Sequence, residues 1–112
     1  MAQYLFRVAY TPEAWSAMLN RPQDRSKAVE GAVQRLGGSV EHFWLSFGDY
    51  DIVGVIEMPD SVTAAAFAMA VAAGGACKAV RTTPLLTTTE GVDAMKMAAT
   101  CGYRPANKIT HA

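Results

Sequence analysis

The sequence predicts an α+β domain in which a single antiparallel sheet carries helices on one of its faces. Three observations predict this class. Apolar residues alternate at period two in three strand-like segments, helical spacing with capping residues marks the segments between them, and a short Gly-Asp turn joins two strands that follow each other directly. The 112 residues suit one domain, with a core over about residues 3–88 and a C-terminal helix and tail over 89–112.

The first strand and the first helical region come from the N-terminal third of the chain. In AQYLFRVAYT one face of the predicted strand carries Tyr4, Phe6, Val8 and Tyr10, and the other carries Leu5, Arg7 and Ala9. Thr11 is the expected helix N-cap and Pro12 suits the first helical position. Because proline cannot continue a helix without losing a hydrogen bond, a break is expected at Pro22. Helical spacing then resumes and ends at Gly37-Gly38.

A hairpin is expected in the middle of the chain. SVEHFWLSF and YDIVGVIEM are the predicted second and third strands, joined by a turn near Gly48-Asp49. Gly48 is expected to supply the backbone freedom that this turn requires. Residues around Val40 to Phe47 should therefore pair antiparallel with Tyr50 to Met58.

The second half of the chain supplies another helix and a fourth strand. PDSVTAAAFAMAVAAGG is expected to be a helix capped by Asp60 or Ser61 and stopped by Gly74-Gly75. In ACKAVRTTPLLT, Pro84 suggests an edge strand or a bend. A short helix over Glu90 to Ala99 and a loosely held tail, CGYRPANKITHA, complete the chain.

The resulting order, β-α-β-β-α-β plus a C-terminal extension, is the ferredoxin-like arrangement. Two helices can cover only one face of such a sheet, yet the first and third strands carry apolar residues on both faces. A second apolar face on a monomer marks an interface. The sequence therefore predicts a homodimer or a higher homo-oligomer formed through the sheet.

Composition excludes several other classes of protein. Ten basic and ten acidic residues give a formal net charge of zero, which argues against a nucleic-acid surface and against an anionic membrane as partner. The N-terminus lacks the basic region of a signal peptide, and no apolar run is long enough to span a bilayer, so a cytoplasmic protein is expected. The two cysteines are expected to be ordinary reduced thiols.

The stretch FGDYDIVGVIEMPD resembles the GYD-domain family. Its Gly-x-Tyr-Asp core, the Val/Ile-rich strand and the Pro-Asp at a helix start fit the family pattern, with Gly48, Tyr50 and Asp51 at its three defining positions. The opening YLFRVAYT also fits, so the resemblance spans roughly Gln3 to Leu86. It implies a ferredoxin-like fold similar to the dimeric α+β barrel proteins, and it implies no particular activity.

Five residues are candidates for ligand binding: His42, Trp44, Tyr50, Asp51 and Arg81. Tyr50 and Asp51 could place a phenol and a carboxylate at the end of a strand to bind or protonate a small molecule, or they could only stabilise the turn. His42 and Trp44 share a strand face, where they could line a pocket or act as a paired histidine and an interface anchor.

Arg7 and Arg81 are expected on opposite outer strands, the first and the fourth. Each could meet a ligand carboxylate or phosphate, or form a salt bridge with Glu41 or Glu57. The other histidine is His111 in the tail, so no metal site is expected. No phosphate loop or nucleophile elbow is present, and no cofactor is predicted.

Two classes of function follow from the sequence. The favoured one is a small-molecule binding or assembly module that forms homo-oligomers through its sheet. The alternative is a cofactor-free enzyme of the dimeric α+β barrel type, similar to a monooxygenase or an isomerase, with a pocket between sheet and helices. That alternative is an analogy between folds.

Overall fold

The computed structural model describes residues 1–106, and the last six residues of the predicted tail, with His111, lie outside the described residues. Eight elements follow in chain order: β1 (Ala2–Tyr10), α1 (Pro12–Asn20), α2 (Ser26–Arg35), β2 (Ser39–Leu45), β3 (Ile52–Met58), α3 (Ser61–Ala73), β4 (Cys77–Leu85) and α4 (Thr88–Ala98).

The four strands form one antiparallel sheet in the order β2-β3-β1-β4, which is the ferredoxin-like arrangement predicted from the sequence. The hairpin is confirmed: Ser39 pairs with Glu57 at its open end, and Leu45 pairs with Ile52 next to the turn. Gly48 lies in that turn with φ +147°, so it has the positive φ expected of it.

The prediction that Arg7 lies on an outer strand was wrong, whereas Arg81 does lie on an outer strand, β4. β1 is a central strand, hydrogen-bonded to β3 on one side and to β4 on the other, and Arg7 lies directly opposite Arg81 in the β1–β4 register. Alternation within each strand is a local property, whereas the order of strands depends on long-range pairing. Like charges directly opposite each other on neighbouring strands destabilise a sheet, so the Arg7–Arg81 pair lowers the stability of the β1–β4 pairing.

Helix boundaries follow the capping residues. Thr11 Oγ1 accepts a hydrogen bond from the amide of Ala14, and the expected break after α1 divides the first helical region into α1 and α2. Asp60 caps α3 through a capping box with Thr63. α4 begins two residues before the predicted Glu90, because Glu90 is the N3 residue of a capping box on Thr87.

The core lies between the sheet and helices α1–α3. The inward face of β1 and β3 supplies most of it, and α2 and α3 contribute Val33 and Phe67. Phe6 and Phe67 pack ring to ring, with centroids 4.9 Å apart. The fully buried side chains of this core are Phe6, Phe67, Ile56, Met58 and Val33.

The other face of the sheet carries no helix of its own among residues 1–106, and we call it the open face. Strand pairing places on it two apolar residues of β3, Val53 and Val55, beside Leu5 of β1. His42 and Trp44 lie across from these valines on β2. The open face therefore carries apolar residues from β1 and β3, as the alternation predicted, and Arg7 of β1 lies among them opposite Val53.

Helix α4 projects from the end of β4. None of its residues is buried, and it packs extensively on no other described element. The chain measures 65 × 29 × 22 Å along its principal axes. Among the described residues, no helix is both long and apolar enough to cross a membrane.

Candidate ligand-binding cavity

Asp51, the acid of the Gly-x-Tyr-Asp stretch, joins three parts of the fold. Its Oδ2 accepts a hydrogen bond of 2.8 Å from the backbone amide of Tyr10 and one of 3.3 Å from the indole Nε1 of Trp15. Its own amide donates to the carbonyl of Val8, and its carbonyl accepts from the amide of Ser46. Asp51 therefore ties the start of β3 to the end of β1, to helix α1 and to the end of β2.

Tyr50 lies on the opposite side of the turn from this carboxylate. The Arg7 guanidinium carbon is 4.7 Å from the centre of the Tyr50 ring, a cation–π contact. Arg7 Nε is buried and has no hydrogen-bond partner in the described structure. The described contact of Arg7 is thus with an aromatic ring rather than with Glu41 or Glu57.

His42 and Trp44 stack on each other on the open face. Their ring centres are 5.1 Å apart, the planes differ by 6°, and Trp44 is 53% exposed. Arg81, exposed on the same face, donates a hydrogen bond to the carbonyl of Val80. Four of the five predicted residues therefore lie along or beside the open face, and only the Asp51 carboxylate faces the helices.

A cavity of about 410 Å³ lies on the helix side of the sheet. Its walls are mostly apolar and come from β1, α1, α2, β3, α3 and the start of β4. The side chains that give it its apolar character are Phe6, Val8, Met18, Val29, Ile52 and Val71. Tyr10, Gln23, Arg25 and Cys77 bring the polar groups.

A second cavity of about 470 Å³ adjoins the first. Both are lined by Tyr10, Met18, Gln23, Arg25 and Ile52, so these residues form the boundary between them. Trp15 and Phe43 line the second cavity only. The loop between α1 and α2, which carries Gln23 and Arg25, therefore borders both spaces.

Two groups of the cavity wall have displaced pKa values. Burial raises the pKa of the Tyr10 phenol above its ordinary value, and the nearby Cys77 thiol and Asp51 carboxylate raise it further, while Arg25 opposes them. Burial likewise raises the pKa of the Cys77 thiol, Asp51 adds to the effect and Arg25 again opposes it. Both groups are therefore neutral at pH 7, and Cys77 is a protonated thiol.

Sequence reasoning missed the cavity residues because they come from three distant places. Tyr10 ends β1, Arg25 precedes α2, and Cys77 begins β4. The signal that could have indicated them is the helix break at NRPQD, since a loop between two helices over a sheet brings polar side chains to the core's edge. The described residues contain no cluster of three or more potential metal ligands.

Comparison with known families gives a match over most of the chain. The family model described as the GYD domain matches residues 4–95, which include the GDYD turn and β3. Comparisons with curated proteins and with solved structures give no match. The match covers most of the chain and includes β2, β3 and β4 in full and β1 from Tyr4 onward. The protein is therefore a member of the GYD-domain family.

Proposed function

We propose that this protein binds a small molecule in the cavity between its sheet and helices α1–α3, and that it forms homo-oligomers through the open face. The cavity is the observation that supports binding. Its volume of about 410 Å³ falls within the range of roughly 300–1,000 Å³ that is usual for ligand sites. Mostly apolar walls with a few polar groups are also the usual composition of such sites.

The charge states at the cavity favour binding over catalysis. A cofactor-free monooxygenase or isomerase, the alternative class, needs a protein acid or base whose pKa lies near the working pH. Burial moves the pKa values of Tyr10 and Cys77 upward, away from neutrality. A neutral phenol and a neutral thiol suit a site that holds a ligand by hydrogen bonds. Turnover of the bound molecule would instead assign the protein to the alternative class.

The open face supports the assembly part of the proposal. Leu5, Val53 and Val55 are only partly covered, and Trp44 next to them is mostly exposed. A group of partly exposed apolar residues of this kind suits association with a second copy. Two-fold symmetry is the commonest closed solution, and a specific interface buries about 1,000 Å² or more.

Binding can be tested by native mass spectrometry of the purified protein, followed by extraction and identification of any bound molecule. Ala70→Phe places a large side chain at the cavity wall, and Ala65→Phe makes the same change elsewhere on α3. We expect the ligand mass to disappear in Ala70→Phe and to persist in Ala65→Phe. A wild-type protein that carries no ligand and binds none of a panel of small apolar compounds would contradict the proposal.

A further inference from the structure

We infer that the ligand of this cavity carries a carboxylate on an apolar body, and that Arg25 is the residue that binds the carboxylate. This inference rests on the proposed function, because the cavity must first bind a small molecule. It adds the chemical class of that molecule and the orientation in which it enters.

Arg25 lies where a ligand's charged end would meet the apolar space. It borders both cavities, in the loop between α1 and α2. Its Nη1 donates a hydrogen bond of 3.1 Å to Oε1 of Gln23, which is an uncharged partner. A guanidinium has five N–H donors in a planar fork that fits a carboxylate, so the bond to Gln23 leaves donors for a ligand.

The charge balance around the first cavity is positive. Arg25 is the charged residue of its lining, and no aspartate or glutamate contributes to that lining. Asp24 and Asp51 already accept local hydrogen bonds: Asp24 from the amide of Ser26, and Asp51 from the amide of Tyr10 and the indole of Trp15. Asp24 lines only the second cavity, so an anionic group is better placed at the Arg25 end of the first.

Two polar groups stand at the same end as this charge. Tyr10, Cys77 and Arg25 line the same cavity, and the positive charge of Arg25 opposes the effect of burial on the pKa values of the other two. A protonated phenol can donate a hydrogen bond to a carboxylate oxygen beside the guanidinium. The remaining walls, including Val29 and Val71, offer only apolar contact and fit a hydrocarbon or aromatic body.

Three probes of equal chain length separate charge from apolar burial: octanoate, octanol and octylamine. Binding can be followed by the fluorescence of Trp15 in a Trp44→Phe background, because Trp15 lies next to the cavities and the other tryptophan is on the open face. Arg25→Gln removes the charge at the cavity, and Arg21→Gln removes a charge from the same loop outside both linings. Circular dichroism checks that each variant is folded.

We expect octanoate to bind about tenfold more tightly than octanol, a difference of about 1.4 kcal/mol. This preference should disappear in Arg25→Gln, remain in Arg21→Gln and be partly restored in Arg25→Lys. Equal binding of octanoate and octanol, or tighter binding of octylamine, would overturn the inference and leave the proposed cavity function standing. If none of the three probes binds, both the inference and the proposed function fail.

Discussion

Replacing Asp51 with alanine tests whether the acid of the GDYD turn holds the fold together. The change removes the acceptor of a 2.8 Å bond from the Tyr10 amide and of a longer 3.3 Å bond from the Trp15 indole. Both bonds end on the same carboxylate oxygen; a short hydrogen bond to a charged group contributes about 1.5–3 kcal/mol and the longer one about 0.5–1, so we expect a loss of about 2–4 kcal/mol. Tyr10 is buried, so water cannot readily replace the lost acceptor.

Urea unfolding followed by circular dichroism measures this loss as a lower midpoint at an unchanged slope. For a chain of this size it corresponds to a fall in melting temperature of roughly 8–16 °C. Asp51→Asn keeps an oxygen acceptor and should lose less than Asp51→Ala. Asp49→Ala, in the same turn but exposed, should change stability by no more than about 0.5 kcal/mol. A melting temperature of Asp51→Ala equal to the wild-type value would refute the reasoning.

Three further predictions follow from the turn, the cavity and the open face. Gly48→Val should destabilise by about 1–3 kcal/mol because φ is +147° there, and an unchanged urea midpoint would remove the backbone argument. The pKa values of Cys77 and Tyr10 are higher in the folded protein than their ordinary values of 9.0 and 10.0. Their contribution to folding stability is therefore complete at pH values below 9.0 and is lost as the pH rises through the pKa values of the folded protein. Alkaline unfolding should therefore shift to higher pH in Cys77→Ser, and an identical curve would argue against it. Light scattering should give twice the 12.0 kDa chain mass for the wild type and for Val62→Asp on α3, but the monomer mass for Val55→Asp on the open face. A wild-type monomer would contradict the assembly proposal.

Local patterns were sufficient to predict the strands, the hairpin and the helix ends. Alternation in β1 and β3 depends only on neighbouring residues, and capping by Thr11 and Asp60 acts within one helical turn. The sequence also predicted the helix break near Pro22, which lies in the loop between the end of α1 at Asn20 and the start of α2 at Ser26. These features could be predicted because each is encoded within about ten residues.

Long-range features could not be predicted in the same way. Asp51 and Tyr10 are 41 residues apart, and no local pattern shows that the carboxylate bonds to that amide. The pairing of Arg7 with Arg81 depends on strand order, which the alternation leaves open. The cavity needs the end of β1, the loop before α2 and the start of β4 together, so Arg25 and Cys77 had no common signal in the sequence.

The outstretched helix α4 has a hydrodynamic consequence. The radius of gyration of the chain is 18.3 Å, whereas a compact chain of this length has one of roughly 13 Å. A single copy should therefore diffuse and elute like a larger globular particle. In size-exclusion chromatography, the elution volume alone would make a monomer resemble a dimer. The oligomeric state must therefore be determined from a molar mass that does not depend on shape, such as the mass from light scattering.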